Sequence, residues 1–159
     1  MERTLADADY TRLLTFRTRL RQFQRWSQEQ AESLGLTTAQ HQLLLAVRGH
    51  PGEQDPTITE VAAYLLVKHH TAVGLVDRTQ ALGLVVRRPD PEDQRVVRLG
   101  LTEVGAERLR ALSARHVEEL QRLGPLLEAV RSEAAPPEQA SEASSAGDGG
   151  EGQRGAGGP

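Results

Sequence analysis

The sequence contains no cysteine among its 159 residues. Disulfide bridges, thiolate metal sites and redox sensing through a thiol are therefore excluded. Aromatic residues make up only 3% of the chain, which leaves few side chains that could stack on a planar ligand. Basic charge is almost entirely arginine, and Lys68 is the one lysine in the sequence.

Long hydrophobic runs are also missing. No run of about 18 apolar residues is present, so no transmembrane helix is expected. The first residues, MERTLADADY, carry early acids and no apolar core of a signal peptide. We therefore expect a cytoplasmic protein, and its length suits one small folded core.

The motifs of common catalytic sites are absent as well. The chain has no Gly-rich phosphate loop, no G-x-S-x-G and no H-E-x-x-H. His69 and His70 are unsuitable as a metal pair, because neighbours in a helix point about 100° apart, and the other histidines are distant in sequence. The sequence thus predicts no enzyme, no cofactor and no metal site.

The formal charge of −3 is unevenly distributed. Residues 132–159 hold five acids against Arg154 alone, a net charge of −4, which leaves +1 for the rest of the chain. This segment is rich in Gly, Ala, Ser, Pro and Glu and lacks large apolar residues, so we expect residues 132–159 to form a disordered acidic tail. Such a tail is either a solvating extension or an acidic decoy for a basic surface.

The stretch from Thr57 to Thr102 predicts two short helices followed by a hairpin. Thr57 and Glu60 form a capping box at the start of the first helix. The second helix is predicted over residues 68–82, with Gly83 ending it through a positive φ. Its core-facing positions are Ala72, Leu75, Val76 and, where an aliphatic residue is more usual, Thr79.

Two β-prone runs follow, at residues 84–88 and 95–99, joined by the turn-forming tip PDPEDQ. Four guanidinium groups lie on this small hairpin: Arg87, Arg88, Arg95 and Arg98. A helix-turn-helix with a protruding hairpin, or wing, has two elements that suit the two grooves of duplex DNA.

Apolar stripes mark the terminal helices. A first helix is predicted over about residues 5–33, with Leu13, Phe16, Leu20 and Phe23 at spacings of three and four. Thr102 caps a second long helix that carries Leu109, Leu112, His116, Leu120 and Leu123. Gly124-Pro125 is predicted to break it before a short final helix. These stripes fit either an intertwined homodimer or packing within one chain.

Several short motifs occur in one order and carry a family resemblance. They are LTTAQ at 36–40, LVDR at 75–78, Gly83-Leu84-Val85, the D-x-R of Asp93 to Arg95, and LT-x-x-G at 101–105. Together they resemble the MarR family of bacterial regulators over roughly residues 5–131. The sequence departs from the family pattern at Lys68-His69-His70, at Thr79-Gln80 and at Gln94.

The resemblance implies a mainly α fold with a small β-hairpin wing. Its parts are an N-terminal dimerisation helix at 1–35, a winged helix-turn-helix at 36–101 and C-terminal dimerisation helices at 102–131. On the family pattern Arg95 enters the minor groove while Asp93 steadies the wing tip. The candidate DNA-binding residues are Lys68, His69, His70, Thr71, Val73, Gly74, Arg78, Arg87, Arg88, Arg95 and Arg98.

The implied function is a sequence-specific transcriptional regulator, a repressor that a small molecule releases from a pseudo-palindromic operator. Family members often bind small aromatic or phenolic effectors between the DNA-binding lobe and the dimer helices. The candidate pocket residues here are Trp26, His41 and His116, for which a core or surface role is the alternative. The contrasting function is a protein-interaction module that has the winged-helix shape without DNA binding.

Overall fold

A computed structural model describes residues 5–132. Except for Ser132, the tail predicted at 132–159 therefore lies outside the described residues. Within this range the chain forms five helices and one antiparallel hairpin. In chain order they are α1 Asp7–Ser33, α2 Thr38–Arg48, α3 Ile58–Leu65, α4 His69–Ala81, β1 Val85–Pro89, β2 Val97–Leu101 and α5 Glu103–Ser132. The fold is mainly α with a β-hairpin wing, as predicted.

Two capping boxes fix where α2 and α3 begin. The Thr57 hydroxyl accepts the backbone N–H of Glu60 at 3.3 Å, and the Glu60 carboxylate accepts the Thr57 N–H at 2.7 Å. At the start of α2 the Thr37 hydroxyl accepts the Gln40 N–H at 3.2 Å, and the Gln40 amide oxygen accepts the Thr37 N–H at 2.9 Å. Each box satisfies backbone N–H groups that have no partner inside the helix. The capping box predicted at Thr57 is confirmed.

Left-handed residues end α3 and α4. Leu66 caps α3 with φ of 55° and is 92% exposed, an uncommon conformation and location for leucine. Gly83 has φ of 68°, which confirms the predicted stop after α4. The helix itself is one residue shorter at each end than predicted, because Lys68 and Leu82 are its caps.

The core lies where α2, α3, α4, the hairpin and α5 meet. Its fully buried large side chains include Leu43, Leu44, Val61, Val76, Leu84, Leu99 and Leu112. Thr79 is also fully buried, and its hydroxyl donates to the Leu75 carbonyl at 2.8 Å. The polar atom of Thr79 is therefore satisfied within its own helix, which removes the main cost of a hydroxyl in the core.

The LT-x-x-G motif joins α5 to the base of the hairpin. The Thr102 hydroxyl accepts the Gly105 N–H at 3.0 Å and donates to the Gly83 carbonyl at 2.6 Å. A Cβ on Gly105 would lie 2.0 Å from the Leu84 carbonyl oxygen. Only glycine permits this close approach between the first turn of α5 and the chain entering β1.

The wing pairs from Val85↔Leu101 to Pro89↔Val97. The predicted strands at 84–88 and 95–99 are thus displaced by one and two residues. Arg95 lies in the tip because Asp93 holds a turn there, accepting the Arg95 N–H on its carboxylate at 3.0 Å and the Val96 N–H on its carbonyl at 2.9 Å. On its other side, β2 bonds to the segment before α3 through Leu99 N–H and the Pro56 carbonyl, at 2.8 Å.

The predicted helix break at Gly124-Pro125 is wrong. α5 is continuous from Glu103 to Ser132 with Pro125 inside it. Proline lacks the N–H that would bond to the Gln121 carbonyl, a cost of about 3 kcal/mol in a helix interior. Good helix formers on both sides, mostly Leu, Glu and Arg, favour continuation through the defect.

The terminal helices expose much apolar surface. Ala31 is the only buried residue within Asp7–Ser33. The exposed large apolar side chains of α1 and α5 include Tyr10, Leu13, Leu14, Phe16, Leu20, Val117 and Leu120. None of the helices between residues 5 and 132 is long and apolar enough to cross a membrane.

Candidate nucleic-acid interface

α4 turns one face to the core and the other to solvent. The four predicted core positions, Ala72, Leu75, Val76 and Thr79, are all buried. The opposite face carries Lys68, His69, His70, Thr71 and Arg78, all exposed, and the half-buried Val73 and Gly74. One face of α4 therefore packs on the core, and the other presents hydrogen-bond donors, a cation and small residues to solvent.

Four side chains on this face have unused hydrogen-bonding capacity. Within residues 5–132, no hydrogen-bond or ion-pair partner contacts the side chains of Lys68, His70, Thr71 and Arg78. His69 differs, because its Nδ1 lies 3.4 Å from the Thr59 hydroxyl on α3. Free donors and acceptors on the first turns of a helix suit the edges of bases in a major groove.

Gly74 lies in the middle of the outward face. A Cβ built on it would lie 3.5 Å from the Arg78 guanidinium, which is an ordinary contact distance. The protein's own packing therefore does not require glycine here. Glycine at this position leaves room for another molecule to approach the α4 backbone closely.

A buried carboxylate closes the wing tip. Asp90 accepts the backbone N–H groups of Glu92 and Asp93 at 2.8 and 3.0 Å, and also a guanidinium N–H of Arg98. The bond from the Asp93 N–H, with those from Arg98 and Glu92, lowers the pKa of Asp90 below its ordinary value. The Asp90 N–H in turn donates to the Val96 carbonyl at 2.9 Å, so the tip is tied at both ends.

Two of the four wing arginines bond inside the protein. Arg98 reaches past Asp90 to the Asp55 carbonyl at 2.7 Å. Arg87 donates to the Asp77 carboxylate at 2.6 Å and to the Gln80 amide oxygen at 2.7 Å. These bonds brace the wing against the segment before α3 and against α4, respectively.

The other two arginines face outward. Arg88 lies 3.8 Å from the Asp55 carboxylate and is mostly exposed. The Arg95 side chain is exposed at the tip and has no partner within the described range. Its backbone N–H bonds to the Asp93 carboxylate, which is the supporting contact expected of Asp93. The tip therefore presents one unpaired guanidinium on a tightly bonded turn.

The bracing partners Asp90, Asp77 and Gln80 were not predicted from the sequence. Asp90 did carry a local signal, because an aspartate in P-D-P accepts backbone N–H groups two or three residues on. Asp77 and Gln80 carried none, since their partner Arg87 lies on another element.

The three candidate effector residues lie together where α1, α2 and α5 meet. The ring of His116 is centred 4.9 Å from that of Trp26 and 4.7 Å from that of His41. Phe23 joins the group at 6.0 Å from His116. This aromatic cluster links the terminal helices α1 and α5 to α2.

Two hydrogen bonds of His116 select one tautomer of its uncharged ring. Its Nδ1 lies 2.9 Å from the Leu112 carbonyl, which only accepts, so the proton belongs on Nδ1. Its Nε2 then accepts from the Ser27 hydroxyl at 2.7 Å. Burial, followed by the charge of His116, lowers the pKa of His41 to about 4, so His41 is neutral at pH 7.

No group of three or more histidine, cysteine or acidic side chains in the described part of the chain could hold a metal ion. The outward faces of α4 and the wing both carry exposed polar and charged side chains. An exposed second helix beside an arginine-bearing hairpin defines a winged helix-turn-helix protein.

Comparison with known proteins shows similarity to one group within that class. A sequence model of the MarR family matches residues 34–96, which span α2 to the wing. Over this part of the chain the sequence is similar to the MarR family.

Three similar proteins illustrate the relationship. The HTH-type transcriptional repressor NicR of Pseudomonas putida is 41% identical over 96 residues, 58% of each chain, so the match spans less than two thirds of that relative. A crystal structure of a MarR family transcription regulator has a TM-score of 0.65 at 25% identity, covering 80% of this chain and 83% of that one. The MepR–DNA complex of S. aureus has a TM-score of 0.60 at 20% identity, covering 77% of this chain and 85% of that one. At this identity the match shows similarity of fold alone.

Proposed function

We propose that this chain is a sequence-specific DNA-binding repressor of transcription. The observation that carries the proposal is the pairing of two free surfaces on one rigid lobe. The first turns of α4 present His70 and Thr71 without partners, and the wing presents Arg95 without a partner within the described residues. The repressor NicR is the similar protein whose name supports this direction.

In this proposal the two surfaces have different tasks. His70 and Thr71 contact base edges in the major groove and select the sequence. Arg95 enters the adjacent minor groove, where a narrow A·T-rich segment attracts a guanidinium. Arg88, outward on the stem of the wing, is suited to a phosphate contact that adds affinity without selecting sequence. Arg87 and Arg98 hold the wing in place.

We further propose that the protein acts as a homodimer on a pseudo-palindromic operator. The exposed apolar residues of α1 and α5 provide a surface that a second copy would cover. Two winged lobes would then place their α4 helices in successive major grooves, roughly 34 Å apart. Such a regulator works in the cytoplasm, where its operator is.

Release by a small molecule completes the proposal. The aromatic cluster of Trp26, His41 and His116 joins the dimer helices to the winged lobe. A small aromatic or phenolic effector that separated these rings would change how the lobes are held. Phe23 adjoins this cluster and adds a further ring that could stack on such an effector.

The test is fluorescence anisotropy with labelled duplexes. The DNA immediately upstream of the protein's own gene is compared with a shuffled duplex of equal length and composition. We expect binding of the upstream DNA to be at least about a thousandfold tighter at physiological salt, within the range of specific regulators.

Equal affinity for the two duplexes would refute sequence-specific binding. Absence of binding to either duplex at low salt would favour the alternative, an interaction module with a winged-helix shape. The bracing of Arg87 and Arg98 favours neither outcome, since both functions need an ordered wing.

A further inference from the structure

The first helix carries a row of arginines that the proposed DNA binding does not use. Residues 10–28 of α1 contain no acid and five arginines: Arg12, Arg17, Arg19, Arg21 and Arg25. Three of them, Arg17, Arg21 and Arg25, recur every four residues and therefore lie along one side of the helix. All three are exposed. These three residues are the α1 arginine row.

Most of the charge of this row is uncompensated in the described part of the chain. Arg25 forms an exposed ion pair with Glu29 at 3.1 Å. Neither Arg17 nor Arg21 has an ion pair or a side-chain hydrogen bond within residues 5–132. Like charges four residues apart on a helix repel one another. An anionic partner on this side of α1 would therefore stabilise the helix as well as bind to it.

Contacts between α1 and α5 show that the two helices run in opposite directions. The Arg108 guanidinium lies 4.0 Å from the place of a Cβ built on Gly35, just beyond the end of α1. Eight residues further along α5, the His116 ring lies 2.7 Å from the Ser27 hydroxyl and is centred 6.0 Å from the ring of Phe23. Later residues of α5 thus lie beside earlier residues of α1.

This direction determines where α5 ends. The helix continues for 16 residues from His116 to Ser132, a rise of about 24 Å. It therefore ends toward the half of α1 that carries Arg17 and Arg21. Its other end, at the base of the wing, is about 45 Å from Ser132 along the helix. The chain that follows Ser132 starts nearer to the α1 arginine row than to the wing.

That following segment, residues 133–159, has the opposite charge. It holds one arginine against five acids, a net charge of −4: Glu133, Glu138, Glu142, Asp148 and Glu151. A Gly-rich chain of 27 residues without regular structure spans roughly 30 Å on average. This span suits the α1 arginine row and falls short of the wing. The segment has no large apolar residue, so charge is the attraction available to it.

We propose that residues 133–159 bind the α1 arginine row and cover its charge. Carboxylates and guanidinium groups form charge-assisted hydrogen bonds. A single exposed ion pair contributes little, so the contact depends on several pairs together and weakens as salt is added.

The use of this contact rests on the proposed function. A bare row of arginines attracts DNA phosphates without regard to sequence. With the row covered by the acidic segment, DNA binding depends on α4 and the wing, where sequence is selected.

The experiment uses the full chain without DNA and exploits its lack of cysteine. Ser145→Cys gives a single site for a nitroxide spin label, and paramagnetic broadening of backbone amide signals is measured by NMR. We expect broadening over residues 14–25 at low salt, with sharp signals from α4 and the wing. The broadening should disappear at about 0.5 M salt, where the screening length is only a few ångströms.

Charge variants separate binding from mere proximity of the segment to α1. Arg17→Gln combined with Arg21→Gln should remove the broadening. The matched control, Arg108→Gln combined with Arg110→Gln, removes two charges near the start of α5 and should leave it unchanged. Broadening that persists without Arg17 and Arg21 overturns the proposal, and so does broadening confined to the last turn of α5 or found on α4 and the wing instead.

A separate measurement tests the consequence for DNA binding. Glu138→Gln, Glu142→Gln and Glu151→Gln together should tighten binding to the shuffled duplex about threefold or more at low salt. The gain should vanish when Arg17→Gln and Arg21→Gln are added. An unchanged affinity refutes the shielding of α1 from DNA. A chain that binds neither duplex refutes the proposed function, while the NMR measurement still decides whether the acidic segment binds α1.

Discussion

Arg95 differs from its neighbours on the wing in having no partner among the described residues. Arg87 and Arg98 each donate to two groups of the chain. Arg88 approaches Asp55, and the side chain of Arg95 is left free within the described range. The sequence predicts four arginines on a hairpin but not this division, because the partners come from α4 and from the segment before α3.

We therefore predict that Arg95→Ala weakens operator binding by about 1–3 kcal/mol and lowers the slope of log affinity against log salt by about one. The fold should be unaffected, since the side chain is exposed. Anisotropy over a range of salt concentrations measures both quantities. Arg108→Ala, the same change away from the interface, should leave the salt slope nearly constant. Unchanged affinity and slope in Arg95→Ala would exclude a groove contact.

Gly74 gives a prediction in which stability and binding change in opposite directions. Its absent Cβ would make only an ordinary contact with Arg78. Gly74→Ala should therefore stabilise the fold by about 0.5–1 kcal/mol through better helix propensity. Operator binding should nevertheless weaken, because the methyl group would separate the α4 backbone from DNA. Urea unfolding and anisotropy on the same preparation test this pair, and undiminished affinity would show that DNA does not approach there.

At the scale of the element, residues close in sequence determine where helices start. Contacts beyond the local sequence determine the position of β2 and the continuation of α5. The capping box at Thr57 and the stop at Gly83 were predicted from the sequence because each acts within a few residues of itself. The two-residue displacement of β2 was not, because it depends on how Asp90 and Asp93 close the tip. The uninterrupted α5 likewise overrides a local break signal at Pro125.

The junction of α1, α2 and α5 should make stability depend on pH. The pKa of His41 is lowered to about 4 in the folded protein, from 6.5, by burial and then by His116. The unfolded chain consequently binds a proton at His41 that the folded chain excludes. Stability is therefore complete above about pH 6.5 and falls as pH decreases toward 4, by about 3 kcal/mol at most.

The variant His41→Phe keeps an aromatic ring beside His116 and removes the imidazole that takes up a proton. The difference in unfolding free energy between the variant and the original chain should grow in favour of the variant between pH 6.5 and 4. Carboxylates with lowered pKa, such as Glu60 and Asp90, act in both proteins and cancel in the comparison. Parallel pH profiles for the two proteins would show that His41 is not held neutral by the fold.

At the scale of the whole molecule, the exposed apolar faces of α1 and α5 are the main feature that one chain does not explain. The sequence predicted the stripes but left open whether they pack within one chain. Leu13, Phe16 and Leu20 are about half exposed, so intrachain packing among the described residues does not cover them.

Leu13→Glu combined with Leu20→Glu should therefore convert a dimer to monomers, measured by sedimentation at micromolar concentration. Both positions are exposed, so the winged lobe should keep its fold. Operator affinity should fall steeply, because one lobe retains only half of the contacts. The matched control is Arg17→Glu, an exposed position on the same helix. An original chain that sediments as a stable monomer yet binds DNA tightly would disprove the dimer.

Selection of bound sequences from a random duplex library tests the central claim most directly, because the protein itself chooses its operator from all possible sequences. We predict a consensus of two inverted half-sites whose centres are about 10 base pairs apart, one for each α4 helix. His70→Ala should change that consensus, and Arg88→Ala should lower recovery without changing it. A library from which no sequence is enriched would contradict the assignment of this chain as a sequence-specific regulator.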